Sequence, residues 1–248
     1  VLLYLASAPA PGTIAAAATP PAPHLAHTRP GRLRALDLAR QATELLKRES
    51  EVARARELLE EALREDPLLA PAWSNLAAAA IHLCDRGGAQ FAAHVALRLD
   101  PGLTAAFDNL KRASELSCPA PREDTPLRQA QAAAYRQPGS GAAWVAVAEA
   151  RRAAGESALA VLFEDFALEG GADRQPLLLR VAGDLEVLGL LDSAASLLEA
   201  GPESEPRGRA LRERHERLVP EAERAGRAAA RAHDLVRAFL TDGQASTQ

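Results

Sequence analysis

The sequence predicts an all-α protein built from successive helix pairs. Two Asp-Pro pairs, Asp66-Pro67 and Asp100-Pro101, lie 34 residues apart, and each ends an Ala- and Leu-rich run. This spacing is the length of a helix-turn-helix repeat unit. Aromatic residues make up only 4% of a chain that is 48% hydrophobic, so alanine, leucine and valine must fill thin layers between helices. No stretch alternates apolar and polar residues in the manner of a strand.

The segment between the two Asp-Pro pairs carries a repeat signature. Its large, small and closing positions are Trp73, Leu76, Ala77, Ala80, Ala89, Ala92, Ala93, Ala96 and Pro101. This pattern resembles the tetratricopeptide repeat, in which a large residue plugs the gap between paired helices and small residues mark close crossings. Proline then ends the second helix, because it lacks an amide donor and restricts the residue before it. The resemblance implies a right-handed α-solenoid of about five such helix pairs.

The same register extends to both sides and defines a repeat domain over residues 33–201. The predicted unit starts are Leu36, Ala70, Thr104, Gly141 and Gln175. The predicted structural residues are the plugs Trp73, Phe107 and Trp144 and the closing prolines Pro67, Pro101 and Pro138. The third unit is the longest, since a segment with three prolines at 118–126 lies between its two helices and demands an irregular turn.

The two ends of the chain do not follow the repeat. Residues 1–32 open with an apolar run and an Ala-Ser-Ala sequence that resembles a signal-peptide cleavage region, which predicts export to the periplasm or envelope. Their Ala/Pro-rich continuation predicts an extended arm or spacer. The alternative is a low-complexity tail on a cytoplasmic protein. Residues 202–248 contain charged helical stretches, which predict C-terminal capping helices or, alternatively, a helix that docks a partner or a membrane surface.

Charge and motifs limit the classes of function. The net charge of −4 comes from interspersed acidic and basic residues, without the clustered positive footprint of nucleic-acid binding. Lys47 and Lys111 are the only lysines among 29 basic residues, an arginine bias typical of GC-rich bacterial genomes. No nucleotide loop, nucleophile elbow, zinc-ligand spacing or haem attachment sequence occurs, and His24 and His27 form an unspecific pair. We therefore expect no catalytic residue, cofactor, metal or small-molecule substrate.

The two cysteines, Cys84 and Cys118, stand at equivalent positions of adjacent units. Adjacent helices pack about 8–10 Å apart, whereas bonded cysteines need Cα atoms within about 7 Å. This geometry favours two separate thiols. The proline-rich insertion that begins at Cys118 would allow a closer approach, and export would supply an oxidising compartment, so a disulfide is the alternative.

The tetratricopeptide resemblance also implies a concave groove lined by the first helix of each unit, which holds a peptide or an extended segment of a partner protein. By register, the candidate groove residues are Arg40, Gln41, Ser74, Asn75, His82, Asp108, Asn109 and Arg112. Asn75 and Asn109 share one column with Gln41, similar to the asparagine ladder by which some family members hold a peptide backbone. An amide suits this role because it both donates and accepts hydrogen bonds. The alternative is that asparagine is simply common on a polar helix face.

These observations favour a non-enzymatic protein–protein interaction module, a scaffold or assembly subunit of a larger envelope-associated complex. Two alternatives stay open. One is a periplasmic biogenesis factor that presents client chains, of the cytochrome-assembly type. The other is an accessory domain of an enzyme complex. The expected partners are proteins, and contact with a membrane is expected only through a partner or an N-terminal anchor.

Overall fold

The computed structural model describes residues 31–117 and 125–199, and the single positions 213, 216, 217, 220 and 224. Within these residues the protein is all-helical, as predicted, and contains no strand. The ten α-helices are α1 Arg32–Leu45, α2 Val52–Glu65, α3 Ala70–His82, α4 Arg86–Leu99, α5 Thr104–Glu115, α6 Pro126–Arg136, α7 Gly141–Ala153, α8 Ser157–Glu169, α9 Arg174–Val187 and α10 Leu191–Glu199.

The chain divides into two compact units, Val1–Ala172 and Asp173–Gln248. The first unit contains α1 to α8, and the second contains α9 and α10, which pack against each other. The predicted N-terminal leader or arm, residues 118–124 of the insertion and most of the predicted capping region lie outside the described residues. None of the helices in the described part of the chain is long and apolar enough to cross a membrane.

The helix starts follow the predicted units closely. Helices α3, α5 and α7 begin at Ala70, Thr104 and Gly141, which are the predicted positions. Helix α9 begins at Arg174, one residue before the predicted start. Helix α1 begins at Arg32, four residues before Leu36. Leu33 stands three residues before Leu36, where the second, third and fourth units have a closing proline, so the sequence defines that boundary least well.

Each Asp-Pro pair forms a local turn. Asp66 and Asp100 follow the ends of α2 and α4 with extended backbones. Their side-chain Oδ1 atoms accept hydrogen bonds from the backbone amides two residues later, at 3.1 Å from Leu68 N and 3.0 Å from Gly102 N. The carboxylate thus replaces a helical acceptor while the proline that follows prevents another helical turn.

The two tryptophans fix these turns to the next helix. Trp73 Nε1 donates a 2.8 Å hydrogen bond to the carbonyl of Pro67. Trp144 Nε1 donates an equivalent 2.8 Å bond to the carbonyl of Pro138. Both indoles are almost completely buried. In the second and fourth predicted units, therefore, the plug residue forms one structural element with the proline that closes the preceding unit.

The turns from first to second helix also repeat. Cys84, Gly155 and Gly189 each have φ between +58° and +77° and lie two residues after the ends of α3, α7 and α9. In each turn the next backbone amide donates to a carbonyl five residues earlier, as in Asp85 to Ala80 at 2.8 Å. This Schellman arrangement satisfies helix carbonyls and favours glycine. Cys84 is the non-glycine residue that adopts the left-handed backbone at this position.

Cys84 is disulfide-bonded. The sequence contains one other cysteine, Cys118, which lies outside the described residues. The expectation of two separate thiols, drawn from ideal spacing between adjacent helices, is therefore wrong.

Helix packing in the first unit differs from a simple succession of pairs. Helices α1 and α2, α3 and α4, and α7 and α8 pack as pairs, but α5 and α6 do not. Helix α5 packs on α3 and α4, whereas α6 packs on α4 and α7. Helix α8 also contacts α2. In an open solenoid each repeat contacts only its neighbours, so this unit closes further than the repeat pattern predicts.

An aromatic core explains the closure. It consists of Trp73 from α3, Phe91 from α4, Trp144 from α7, and Phe163 and Phe166 from α8. The Trp73 ring lies 6.0 Å from that of Phe163, and Phe91 lies 6.0 Å from Trp144. Trp144 stacks on Phe163 at 5.9 Å. Ring centroids at these separations are favourable, so burial of five aromatic rings draws the α7–α8 pair onto α3 and α4.

Phe107 does not belong to this core. It is 52% exposed, so its alignment with Trp73 and Trp144 gives the wrong environment. Phenylalanine has no N–H group to reach the carbonyl of Pro101, and α6 does not cover α5. Helix α5 is held instead by a narrow stripe of Ala106, Asn109 and Ala113 against its neighbours.

Candidate functional site

Both asparagines of the predicted ladder bond to the protein itself. Asn109 is buried, and its Nδ2 donates to the carbonyl of Ser74 at 2.9 Å and to Ser74 Oγ at 3.3 Å. Asn75 Nδ2 donates to Thr43 Oγ1 at 2.9 Å. These contacts join α1, α3 and α5 along one line. The amides that the sequence offers for a ligand backbone therefore link the first helices to each other.

Ser74, another predicted groove residue, is also buried, whereas the five that remain lie on the surface. His82, Asp108 and Arg112 are exposed. Arg40 and Gln41 are also exposed, and both donate to Asp37 at 2.7 Å. The hydrogen bonds from Arg40 and then Gln41 hold the pKa of Asp37 below its ordinary value. We call Arg40, Gln41, His82, Asp108 and Arg112 the partner face, because these five predicted residues stay accessible.

A cavity of about 330 Å³ lies elsewhere in the first unit. Its apolar wall includes Trp73, Leu76 and Phe91, and its polar wall includes three arginines and three carboxylates. These residues come from α2, α3, α4 and α6 and from the end of α7 with the turn to α8. The closure of α7 and α8 onto the earlier helices therefore forms the cavity.

Asp85 lines this cavity and is paired with two arginines. Its side chain is 9% exposed, and as the N-cap of α4 it accepts the Gly88 amide at 3.0 Å. Arg128 donates to both its oxygens, at 3.0 and 3.2 Å, and Arg56 approaches at 3.4 Å. A Cβ atom at Gly88 would lie 2.7 Å from Asp85 Oδ2, so a side chain at this position would displace the carboxylate.

Glu156 forms a second charged group of the cavity wall. Arg151 Nη1 donates to it at 2.7 Å, and Arg64 Nε from α2 donates at 3.0 Å. Burial raises the pKa of Glu156, but the hydrogen bonds and charges of Arg151 and then Arg64 outweigh this effect and leave the pKa below its ordinary value. Glu156 thus stays ionised and ties α2 to the α7–α8 turn.

Arg151 has an unused donor. Its Nε is buried and has no hydrogen-bond partner in the described part of the chain. A buried donor without an acceptor is unusual, because it loses hydration without compensation.

The described residues contain no cluster of three histidine, cysteine, aspartate or glutamate side chains that is suited to hold a metal ion. No model of a protein family matches the sequence, and no curated protein is significantly similar to it. The tetratricopeptide resemblance therefore depends on the residues quoted above and on the helix arrangement.

Sequence reasoning missed every charged residue of the cavity. Arg56, Asp85, Arg128 and Arg151 belong to four different helices or turns, so no local spacing joins them. One local signal was present: an aspartate two residues before Gly87-Gly88 at the start of an alanine-rich helix suggests an N-cap. This signal identifies the start of α4, but it does not predict that arginines from other helices contact the Asp85 carboxylate.

Proposed function

We propose that the protein is a non-enzymatic protein–protein interaction module of tetratricopeptide-like helix pairs, and a scaffold or assembly subunit of a larger complex. The observation that carries this proposal is the repeated element in which Trp73 and Trp144 bond the carbonyls of Pro67 and Pro138. It recurs with the helix starts that the register predicts. Repeat scaffolds of this kind present the surface of their first helices to a partner.

The solenoid in this proposal is confined to α1–α5. There, α3 packs on α5 and the two asparagines continue the contacts along the first helices. The partner face lies on α1, α3 and α5 and presents charged side chains. We infer that a partner binds by charge and surface complementarity to Arg40 and Arg112, since the amides of Asn75 and Asn109 are used within the protein.

Export to the periplasm or envelope is the second part of the proposal. The disulfide at Cys84 supports it, because structural disulfides persist in oxidising compartments. The signal-like start of the sequence points in the same direction. Thiol alkylation of protein from the native source, followed by intact-mass measurement, tests this part. Two alkylated cysteines without prior reduction would contradict an oxidising location.

Copurification of the full chain from its native source tests the interaction role. A stoichiometric partner supports the proposal, and the double substitution Arg40→Glu with Arg112→Glu should abolish its recovery. The matched control is Arg54→Glu, an exposed arginine of α2 outside the partner face. Circular dichroism should show unchanged helix content in both. If the double variant retains the partner, the partner face is wrong. Transient unfolded clients in place of a stoichiometric partner would contradict the scaffold role and favour a biogenesis factor.

A further inference from the structure

The charges around the cavity are balanced within the protein. The wall includes three arginines and three carboxylates: Arg56, Arg128, Arg151, Glu60, Asp85 and Glu156. Each of the six forms an ion pair with at least one of the others, at N–O distances of 2.7 to 3.4 Å. A charged ligand would bring a charge that has no partner here, which is costly away from bulk water. The wall therefore favours an uncharged ligand.

Apolar side chains from three helices form another part of the wall. Helix α3 contributes Leu76 and Ala80, which lie one turn apart, and α6 contributes Leu127. Leu76 and Leu127 are only partly buried, so both retain exposed apolar surface. Phe91 of α4 completes this part of the wall. Removal of apolar surface from water is favourable, so an apolar group that covered this surface would be stabilised there.

One polar side chain of the wall is available to a ligand. Gln131 lies on α6, one turn after Leu127, and also lines the cavity. It is only partly buried, and its side-chain amide makes no hydrogen bond with the described residues. An amide both donates and accepts hydrogen bonds. Gln131 can therefore bind an uncharged polar group, such as an amide or a hydroxyl.

The volume of the cavity limits the size of the ligand. A volume of about 330 Å³ is near the lower end of the range of cavities that hold small organic ligands. A cavity of about 150 Å³ already holds one benzene ring. The space therefore accommodates one ring, or a short alkyl chain, with one polar group attached.

We propose that the cavity between α2, α3, α4, α6 and the α7–α8 turn binds a small uncharged organic molecule with an apolar body and one hydrogen-bonding group. The apolar body contacts Leu76 and Leu127, and the polar group bonds the amide of Gln131. This ligand departs from the expectation, drawn from the sequence, that the partners are proteins. The site uses none of the residues of the partner face, so it is independent of the proposed interaction role.

The two tryptophans provide the measurement. Trp73 lines the cavity and Trp144 does not, and the chain contains no other tryptophan. Each gives one indole N–H signal in a two-dimensional 15N NMR spectrum of the full chain. Titration with the uncharged probe 3-phenylpropionamide should shift the Trp73 signal more than the Trp144 signal. The anion 3-phenylpropionate and the cation of 3-phenylpropylamine should each bind more weakly by about tenfold or more, because their charges find no partner.

Two variants test the residues. Ala132→Phe keeps every charge but places a ring in the cavity, so it should abolish binding of 3-phenylpropionamide. Gln131→Leu removes one hydrogen bond and should weaken binding about two- to tenfold. The matched control is Gln129→Leu, an exposed glutamine of the same helix that does not line the cavity, and it should leave binding unchanged. Isothermal titration calorimetry gives the affinities, and thermal melts show that each variant is folded.

Three results would overturn the proposal. The first is that 3-phenylpropionamide at millimolar concentration leaves the Trp73 signal in place, or shifts the Trp73 and Trp144 signals equally. The second is that either charged analogue binds as tightly as the amide, because the wall would then not select an uncharged ligand. The third is that a folded Ala132→Phe or Gln131→Leu variant binds like the wild type. If one of these two variants does not fold, the other decides.

Discussion

The third predicted unit differs sharply from the second and fourth, although all three share one sequence register. An aromatic residue stands six positions after the closing proline in each: Trp73, Phe107 and Trp144. The two tryptophans are 1% and 0% exposed, whereas Phe107 is 52% exposed. The tryptophans bond the proline carbonyl, and their own second helices cover them. Position in the repeat therefore determines burial only where the second helix packs on the first.

Truncation of the aromatic plugs should give the largest difference in stability between these units. Trp73→Ala or Trp144→Ala should lower the free energy of unfolding by about 3–5 kcal/mol, because each leaves a cavity in the aromatic core. Phe107→Ala should cost less than about 1 kcal/mol, since the ring is half exposed. Urea denaturation followed by circular dichroism measures all three. Equal losses at Phe107 and Trp73 would mean that α5 is covered as the other units are.

Titration of His94 tests how tightly the same aromatic core excludes protons and water. Its ring stacks on Trp144 at 6.1 Å and meets Tyr135 edge-on. Burial, and then the charge of Arg98, lowers its pKa from 6.5 to about 4. As pH falls from about 6.5 to 4, the unfolded chain binds the proton first, so stability decreases over this window. The difference between the unfolded and folded pKa values corresponds to a loss of about 3 kcal/mol in the free energy of unfolding.

The measurement compares wild type with His94→Phe, which keeps an aromatic ring but cannot titrate. Urea denaturation at pH 7, 5 and 4 should show a steeper loss of stability in the wild type than in the variant. Acidic groups contribute to both proteins, and the comparison removes their effect. Parallel loss in the two proteins would show that His94 is accessible to protons in the folded state.

The next smaller loss of stability is expected from a substitution where the start of α7 lies close to the end of α8. Gly141 N donates to the carbonyl of Gly170 at 2.9 Å. A Cβ atom at Gly141 would lie 2.5 Å from Ala172 N and 2.6 Å from the carbonyl oxygen of Ala167. Since backbone atoms cannot move aside cheaply, Gly141→Ala should cost about 1–3 kcal/mol.

The matched control is Gly139→Ala, two residues earlier, where an added Cβ atom has no neighbour within 4 Å in the described structure. Thermal melts of the two variants and the wild type measure the difference in stability. We expect Gly139→Ala to change stability by less than about 0.5 kcal/mol. Equal effects would indicate that the two helix ends separate easily, which would weaken the case for α7 and α8 as a rigid pair.

The sequence predicts local elements of this fold better than contacts between distant ones. Asp66-Pro67, Trp73 and Ala70 determine one turn and one helix start, and each acts within a few residues. No local signal in the sequence shows that α6 packs on α4 and α7 and not on α5. The contact between Arg64 and Glu156 joins residues 92 positions apart. A cavity assembled from such contacts cannot be read from any spacing, so its charges were missed.

The smallest effect concerns the two asparagines and separates a structural from a binding role. Asn109 is buried and bonds Ser74, so Asn109→Ala should cost about 0.5–1.5 kcal/mol of unfolding free energy. Asn75 bonds the exposed Thr43, and Asn75→Ala should cost only a few tenths of a kcal/mol. Urea denaturation of both single variants measures this difference. Unchanged stability in the double variant, together with lost recovery of a copurified partner, would instead restore the asparagine ladder as the site that holds a peptide.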